Sequence, residues 1–592
     1  MKHTFQTITH DVDFCVVGGG LAGLCAAVAA ARWGVKTALV QERPMLGGNA
    51  SSEIRMWVCG ARGKNMLETG IIEELMLENL YRNPDKNYSV WDGILYSLAR
   101  KEENIQLLLN CSVNDCTMED GRITSVTGWQ MTTQQFHRVN ARLFADCSGD
   151  SILAPLSGAA YRLGRESESD FGESIGRNIP PGDRQTMGMS CMIQAREEST
   201  PSEFIPPDWA ARFTKEDLPH RIPDMTCPTE NFWYLELGGD RDSIHDTETV
   251  RDELLQIAYG LWDYVKNSPE LRERNRNWRL DWVGILPGKR ESRRYVGDYT
   301  LTQNDVESQG KFEDIVAYGG WPMDDHDPRG FYNTDTPNVN YPAPSPYGIP
   351  YRCLYSNNVP NLFFAGRNIS VTHWALSSSR VMGTCALLGQ AVGTAASIAV
   401  REGCLPRDVY VHHLAELQQM LMDDDSYLPF HRRAIPALTQ QATLVGGKGV
   451  EALRNGLDRP IGDEDNGYIC QPGDTIEYRF ASPMPVHGVR IVWDSELNRT
   501  SMPKIGGRPF VHNMMCNKPL SMTDFHVPHA MTKDFRIEGV RADGSTQVLF
   551  STENNYQRLN KIALSGTWSA IRLIPCATWG AENIHIFSFE VF

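Results

Sequence analysis

Apolar residues recur along the first part of the chain in short, tightly bounded runs. Phe14 to Val17 and Thr37 to Val40 flank a small-residue segment from Leu24 to Trp33. Runs of this length, apolar throughout, predict strands buried on both faces, and the segment between them predicts a helix. Helices follow over about Gly70 to Tyr81 and Ser89 to Lys101. Next come strands in "NIQLLLN" and "RITSVTGWQ", with a turn at Asp120-Gly121, and a buried strand in "ARLFADCSGDSILA". From about Tyr161 to Tyr347 the periodicity breaks, Pro, Trp and charged residues rise, and loops are expected at Ile179 to Gly182 and Asp324 to Arg329. The earlier character returns over Asn361 to Val400, followed by a helix from about Val409 to Met422. Beyond Pro436, "DTIEYRF", "VHGVRIVW", "FRIEGVRA", "TQVLFST", "AIRLIPC" and "HIFSFEVF" alternate as short strands. The pattern predicts an α/β chain. A Rossmann-like dinucleotide domain lies in two pieces, 1–160 and 348–435, an inserted α+β substrate domain spans 161–347, and an all-β sandwich closes the chain over 436–592.

The turn after the first strand carries Gly18, Gly20 and Gly23 at the spacing G-x-G-x-x-G, and the second strand runs into Glu42. The first glycine permits the tight turn, the second lets backbone approach a pyrophosphate, and the third lets helix and strand pack closely. The helix N-terminus then offers free N–H groups to the anion, and Glu42 is placed for ribose hydroxyls. Strand, glycines, helix, strand and acid in this order predict a dinucleotide, with NAD and FAD both open at this point. At 592 residues the chain is too long for a single core. Its net charge of −16 argues against nucleic acid or an anionic membrane surface as the main partner. The N-terminus lacks an apolar leader-like segment, and no apolar run is expected to span a bilayer. None of the 14 cysteines forms a C-x-x-C pair, and several lie in apolar segments. A reducing, cytoplasmic setting is expected, a mature secreted form staying open. Sequence patterns for P-loop or zinc-protease chemistry do not occur.

Two later stretches favour FAD. Gly47-Gly48 lets the chain double back against an extended dinucleotide, and "LFFAGRNIS" leads to a Gly/Ala helix beginning near Val381 to Gly383, a second helix N-terminus suited to the negative charge of a reduced flavin. The order G-x-G-x-x-G, Glu, Gly-Gly, "DCSGD", "LFFAGR" and a Gly/Ala helix resembles FAD-dependent oxidoreductases of the glutathione-reductase-like superfamily. "GGNASSEIRMW", "PGKRESRRYVGDY", "GIPYRCLY" and "NLFFAGRNIS" resemble the bacterial FAD-dependent oxidoreductase family more closely, over about residues 10 to 430. The tail resembles a galactose-binding-like β-sandwich. The likeness implies FAD as resident cofactor, with contacts from Gly18, Gly20, Leu21, Ala22 and Gly23, from Glu42 and Arg43, and from Gly47, Gly48, Asn49 and Ser51. It extends them to Gly149 and Asp150, and to Gly366, Arg367, Arg380, Gly383 and Thr384. Asn49 to Ser52 stand where disulfide reductases carry a cysteine pair. Cys111 and Cys116 have the right spacing, but they flank an expected strand end, where an odd offset turns side chains to opposite faces.

A flavin enzyme needs a proton-transfer group and side chains that orient substrate. His373, in "SVTHWALSSSR" between Gly366 and Gly383, is the first candidate for acid/base, the alternative being a histidine bonded to the diphosphate loop. His326, between Asp325 and Asp327 in an expected loop, is the reserve. Its alternatives are an exposed histidine or half of a weak metal site. Arg290 and Arg293, close to Arg294, can clamp a carboxylate or form a structural network with Glu291 and Asp298, and Arg380 can hold flavin or substrate. The expected activity is hydride transfer between flavin N5 and a small polar substrate such as a carbohydrate or sugar acid, with an external electron acceptor or donor. Rivals are a fumarate-reductase-like enzyme of small carboxylates, a non-redox or lyase-type carbohydrate enzyme retaining FAD, and a glycan-binding protein on a degenerate flavin fold. Trp568 and Trp579 can stack on a sugar or serve as packing.

Overall fold

A computed structural model describes residues 5–227, 230–505 and 507–592 and divides the chain into two compact units. The first comprises Met1–Arg62, Lys86–Leu417 and His512–Thr523, and the second Gly63–Asp85, Gln418–Val511 and Asp524–Phe592.

A five-stranded parallel sheet organises the first unit, in the order Leu362–Phe364, Leu143–Asp146, Phe14–Val17, Thr37–Val40, Ile105–Leu108. The three central strands are buried along their whole length, as runs without polar alternation require. The helix Leu21–Arg32 returns from the first strand and packs on the long helix Met382–Glu402. A Cβ at Gly389 would stand 2.0 Å from the Ala22 carbonyl oxygen and one at Gly393 2.1 Å from that of Ala26, so only glycine allows this approach. Met382–Glu402 has the length and apolarity of a membrane span, contrary to the expectation that none exists, and nearly all of it is buried in the fold. It is a core helix, apolar because it is covered on every side.

A second sheet pairs Thr7–Asp11, Gln135–Asn140, Arg122–Gln130 and Cys111–Glu119. The last strand is absent from the sequence prediction, and it, not "NIQLLLN", forms the hairpin through Asp120 and Gly121, both at positive φ. A bulge between Val113 and Asp115 resets its alternation, so that Cys111, Val113, Cys116 and Met118 share the more buried face. The opposite-face expectation fails, yet both thiols stay free. Five residues of extended chain separate them by on the order of 15 Å, far beyond disulfide reach.

Within 161–347 the 21-residue helix Thr247–Asn267 buries Val250, Leu254, Leu261 and Trp262 against Met189, Phe232, Leu235 and Trp278. Short ladders surround this core. Met189–Ser190 lies between Glu236–Leu237 and Gly288–Lys289, and Ile193–Glu197 lies between Trp278–Val283 and Asn517–Lys518.

The second unit contains a five-stranded sheet (Thr443–Val445, Ile476–Pro485, Thr567–Thr578, Thr532–Val540, Thr546–Thr552) and a four-stranded one (Tyr468–Cys470, Ile584–Val591, Gly488–Trp493, Leu559–Ala563). Alternating side chains from both meet in pairs such as Tyr478 with Phe589, 5.3 Å apart. Trp568 is buried, and the Trp579 indole N–H donates to the Asn555 carbonyl at 2.7 Å. Residues 63–85 were expected with the dinucleotide domain but belong here. The Arg499 guanidinium meets Glu73 at 2.6 Å, and both are buried. Residues 512–523, expected in the sandwich, belong to the first unit through the ladder of Asn517–Lys518 with Ala195–Arg196.

Candidate active site

The strand Phe14–Val17 delivers the chain into Gly18 at φ +103, and the Gly18 N–H donates to the Val40 carbonyl at 2.8 Å. A Cβ at Gly18 would lie 2.5 Å from the Cys147 backbone, and one at Gly23 only 1.8 Å from the Gly18 carbonyl oxygen. Gly20 differs. It has an ordinary φ of −62, and the nearest atom to an added Cβ is the Gly48 Cα at 3.9 Å. Its open side faces a cavity of ≈ 840 Å³, near the upper end of ligand pockets. Gly47 bridges to Gly20 and donates its N–H to the Gly19 carbonyl at 2.8 Å. Gly48, at φ +59, would place a Cβ 3.1 Å from the Gly20 Cα. Two backbone segments thus meet above the helix N-terminus at a spacing that side chains would prevent. Buried Gln41, which sequence reasoning missed, braces this turn, accepting from the Gly19 N–H at 2.7 Å and donating to the Met45 carbonyl at 3.0 Å. No pattern in the sequence marks it beyond its place before Glu42.

Of the residues expected at the cofactor, Gly18, Gly20, Leu21, Ala22, Glu42 and Arg43 line the cavity. So do Gly47, Gly48, Asn49, Gly149 and Asp150, together with Gly366, Arg367 and Arg380. Glu42 stands exposed at the end of its strand, as a ribose acceptor requires. Four of the expected residues, Gly23, Ser51, Gly383 and Thr384, do not line the cavity. Gly23 packs beneath the turn, and the Ser51 hydroxyl donates to the Gly48 carbonyl at 2.8 Å. The Gly383 N–H donates to the Cys59 carbonyl at 2.8 Å, and Thr384 is wholly buried. Val381 and Met382 form the wall instead.

Charge collects in two clusters along the cavity. In the first, the Asp150 carboxylate accepts from Lys289 Nζ at 2.7 Å, Arg367 at 2.8 Å and the Ser292 hydroxyl at 2.7 Å. Burial raises its pKa, but Arg367 and Lys289 outweigh that and hold it at about 2. Arg293 belongs to this cluster, donating to the Asp150 carbonyl at 3.2 Å.

The second cluster alternates in sign: Arg290, Glu236, His326, Asp324, Arg380. Arg290 stands 3.3 Å from Glu236, whose other oxygen is 2.6 Å from His326 Nδ1. His326 Nε2 is 3.3 Å from Asp324, and Arg380 is 3.3 Å from the same carboxylate oxygen. Burial pushes both carboxyls up. Arg290 and His326 overcome it at Glu236, and His326 and Arg380 do so at Asp324, so both lie below the usual carboxylate range. His326 is 3% exposed and sits on the strand Met323–His326, opposite Asn338, rather than in a loop. Among the described residues no group of three or more His, Cys, Asp or Glu could hold a metal. Trp233, Trp321, Asn338 and Asn340 complete this stretch of wall.

His373, the first candidate for acid/base, is not on the cavity wall. It is 0% exposed, with Nδ1 2.8 Å from Glu291 and Nε2 3.0 Å from Asp325. Burial disfavours its charge, but Glu291 and Asp325 prevail and raise its pKa to about 9. Glu291 also meets Arg294 at 3.3 Å, and Arg294 meets Glu166 at 3.0 Å. With both ring nitrogens engaged away from the cavity, His373 is a structural cation. Arg294 is likewise structural, as the network reading held, with Glu166 in place of Asp298.

The cradle suits an extended dinucleotide with an anionic centre. Arg367 Nε and Arg380 Nε are buried without a hydrogen-bond partner, donors in reserve beside the cavity. Glycerol-3-phosphate dehydrogenase of Mycobacterium leprae and glycerol-3-phosphate dehydrogenase 2 of Mycobacterium tuberculosis are each 37% identical to the chain over 70 residues. That stretch spans 12% of this chain and 12% of theirs. Among solved structures, a geranylgeranyl bacteriochlorophyll reductase-like protein from Thermoplasma acidophilum aligns with 70% of this chain and 86% of its own, at 13% identity and a TM-score of 0.30. A family 32 carbohydrate-binding module from Streptococcus pneumoniae EndoD aligns with 27% of this chain and 97% of its own, at 17% identity and a TM-score of 0.19. The family profile for FAD dependent oxidoreductases matches residues 13–421, the span that contains the glycine cradle and both charge clusters. The chain belongs to the FAD-dependent oxidoreductase family, and its cofactor is FAD.

Proposed function

We propose that this FAD-dependent oxidoreductase oxidises or reduces a small polyhydroxylated substrate, a sugar or sugar acid, at the part of the cavity walled by Arg290, His326, Asp324 and Arg380. The carrying observation is the alternating row of buried charges from Arg290 to Arg380 on the cavity that the glycine cradle opens. Bound FAD supplies a two-electron partner for hydride exchange with a substrate carbon. The chain's residues then handle the proton and the orientation. His326 keeps Nδ1–H on Glu236, its shorter contact, and its Nε2 position exchanges a proton with a substrate hydroxyl. Glu236 fixes ring and tautomer. Arg290 and Arg380 favour an anionic or oxygen-rich substrate, Asp324 and Asn338 offer acceptor and donor to hydroxyls, and Trp233 and Trp321 supply the flat apolar faces that stack on sugar rings. Turnover also requires an external electron acceptor or donor. A cytoplasmic setting is part of this proposal, supported by the chain's fourteen free cysteines.

Anaerobic mixing with a panel of sugars, sugar acids, polyols and dicarboxylates tests it. One polyhydroxylated compound should bleach the flavin, and His326→Gln should slow bleaching by roughly 10²–10⁴-fold with FAD still bound. Bleaching by dicarboxylates alone, or an unchanged rate in the variant, would defeat the reading.

A further inference from the structure

The family match ends at residue 421, yet the cavity includes a residue well beyond it. His512 opens the twelve-residue segment His512–Thr523, which lies between sandwich strands in sequence and belongs to the flavin unit in space. Its imidazole stacks on Trp57 with ring centres 4.7 Å apart and planes 14° from parallel. Its Nδ1–H donates to the Val58 carbonyl at 3.3 Å, and the next residue, Asn513, accepts the Val58 N–H at 2.8 Å. Both backbone groups of Val58 are therefore held by consecutive side chains of this segment. Cys516 packs with Trp57, Cys59 and Val381, and the Met515 carbonyl accepts from Gln194 at 3.0 Å.

The segment so held is a cavity wall. Met56, Trp57 and Cys59 line the cavity, and the Cys59 carbonyl accepts the Gly383 N–H at the start of the helix Met382–Glu402. A segment with no sheet neighbour of its own has to find partners for its peptide groups elsewhere. Here His512 and Asn513 provide them. Burial drives the His512 pKa down to about 4, so the ring is neutral at physiological pH and stacks on Trp57 without carrying charge into the wall.

We propose that His512 and Asn513 are positioning residues of the FAD cavity, fixing the Met56–Cys59 wall against which the cofactor seats, so that the functional flavin unit of this enzyme extends into the C-terminal part of its sequence. The inference rests on FAD occupying this cavity and is independent of the substrate reading above.

The test uses the full-length protein with FAD. Asn513→Leu removes the acceptor for the Val58 N–H, whereas Asn513→Asp retains one. His512→Ala removes the stack, whereas His512→Phe retains a flat ring. FAD affinity from titration and the visible flavin spectrum are the readouts, neither of which requires turnover. Asn513→Leu and His512→Ala should weaken FAD by roughly tenfold, the equilibrium equivalent of one lost buried hydrogen bond, and shift the flavin bands. Asn513→Asp should stay near wild type, and His512→Phe, which keeps the flat ring but loses the donor to Val58, should fall between wild type and His512→Ala. Affinity and spectrum unchanged in both disruptive variants would overturn the proposal. If those variants fail to fold, hydrogen exchange of the wild-type protein decides. FAD should slow exchange at Val58 and across 512–518, and equal exchange with and without FAD would overturn the proposal. A silent substrate panel combined with FAD-dependent protection would reject the substrate reading alone.

Discussion

His373 offers a sharp test of the electrostatics because its histidine pKa is raised and its surroundings are dry. Folding moves the pKa from an ordinary 6.5 to about 9, because Glu291 and Asp325 outweigh the cost of burial. The native state therefore holds a proton that the unfolded chain has released between these values. Stability from this group is complete below about pH 6.5 and drains away as pH rises to about 9. The shift is worth on the order of 3 kcal/mol, lost at about 1.4 kcal/mol per pH unit within that window. Glu173 titrates in the same unit, burial having lifted it to about 7, and its loss of stability with rising pH is over where most of the His373 loss begins. The perturbation is His373→Gln, which keeps one donor for two carboxylates and carries no titrating proton. Thermal release of flavin fluorescence, read across this pH range, follows the unit that holds FAD. The variant should melt well below wild type near pH 6.5, because a buried carboxylate has lost its partner, and the gap should close steadily toward pH 9. Parallel curves for the two proteins would refute the assignment of His373 as a buried cation. FAD binding at low temperature should survive the change, since His373 does not line the cavity.

The glycines separate fold from binding. Gly20→Ala meets no atom closer than 3.9 Å and has ordinary backbone, so it should leave the melting temperature nearly unchanged while weakening FAD. Gly23→Ala, 1.8 Å from the Gly18 carbonyl oxygen, should lower the melting temperature itself, as scanning calorimetry with and without FAD can show. Lys289→Met removes one of the cations that hold Asp150 at about pKa 2, so acid-induced flavin release should move to higher pH, read by fluorescence on acid titration. Burial pushes the Cys59 and Cys191 thiols up to about 12, and both should resist iodoacetamide in the folded protein and react in denaturant, as peptide mass spectrometry would register.

What was legible in the chain is what is local. The turn from Gly18 to Gly23 and the doubling back at Gly47-Gly48 are readable because positive φ and contact with a neighbouring backbone each exclude side chains, and that exclusion is written at the position itself. The strand Cys111–Glu119 escaped because its polar outer face and its bulge erase the alternation that defines a half-buried strand. The exchange of 63–85 and 512–523 between units escaped for another reason. Amphipathic spacing in Ile71–Arg82 says that one face is covered and is silent about which element covers it. Gln41 escaped because a buried amide that braces a turn carries no spacing of its own.

The two histidines show where sequence reading stops. Both stand beside acidic residues or between cofactor glycines, and on chain position alone His373 is the stronger candidate. In space each is clasped by two carboxylates, and each owes one of them to a distant part of the inserted domain: Glu291 for His373, Glu236 for His326. Partner chemistry therefore does not separate them. The cavity does, because it reaches His326 and stops short of His373. Contact also differs in kind. His373 has both nitrogens within 3.0 Å of a carboxylate, a closed arrangement, whereas His326 has one close partner and a second at 3.3 Å that is shared with Arg380. A proton carrier needs one firm partner to hold its tautomer and one loose position to exchange from, and of the two only His326 has both.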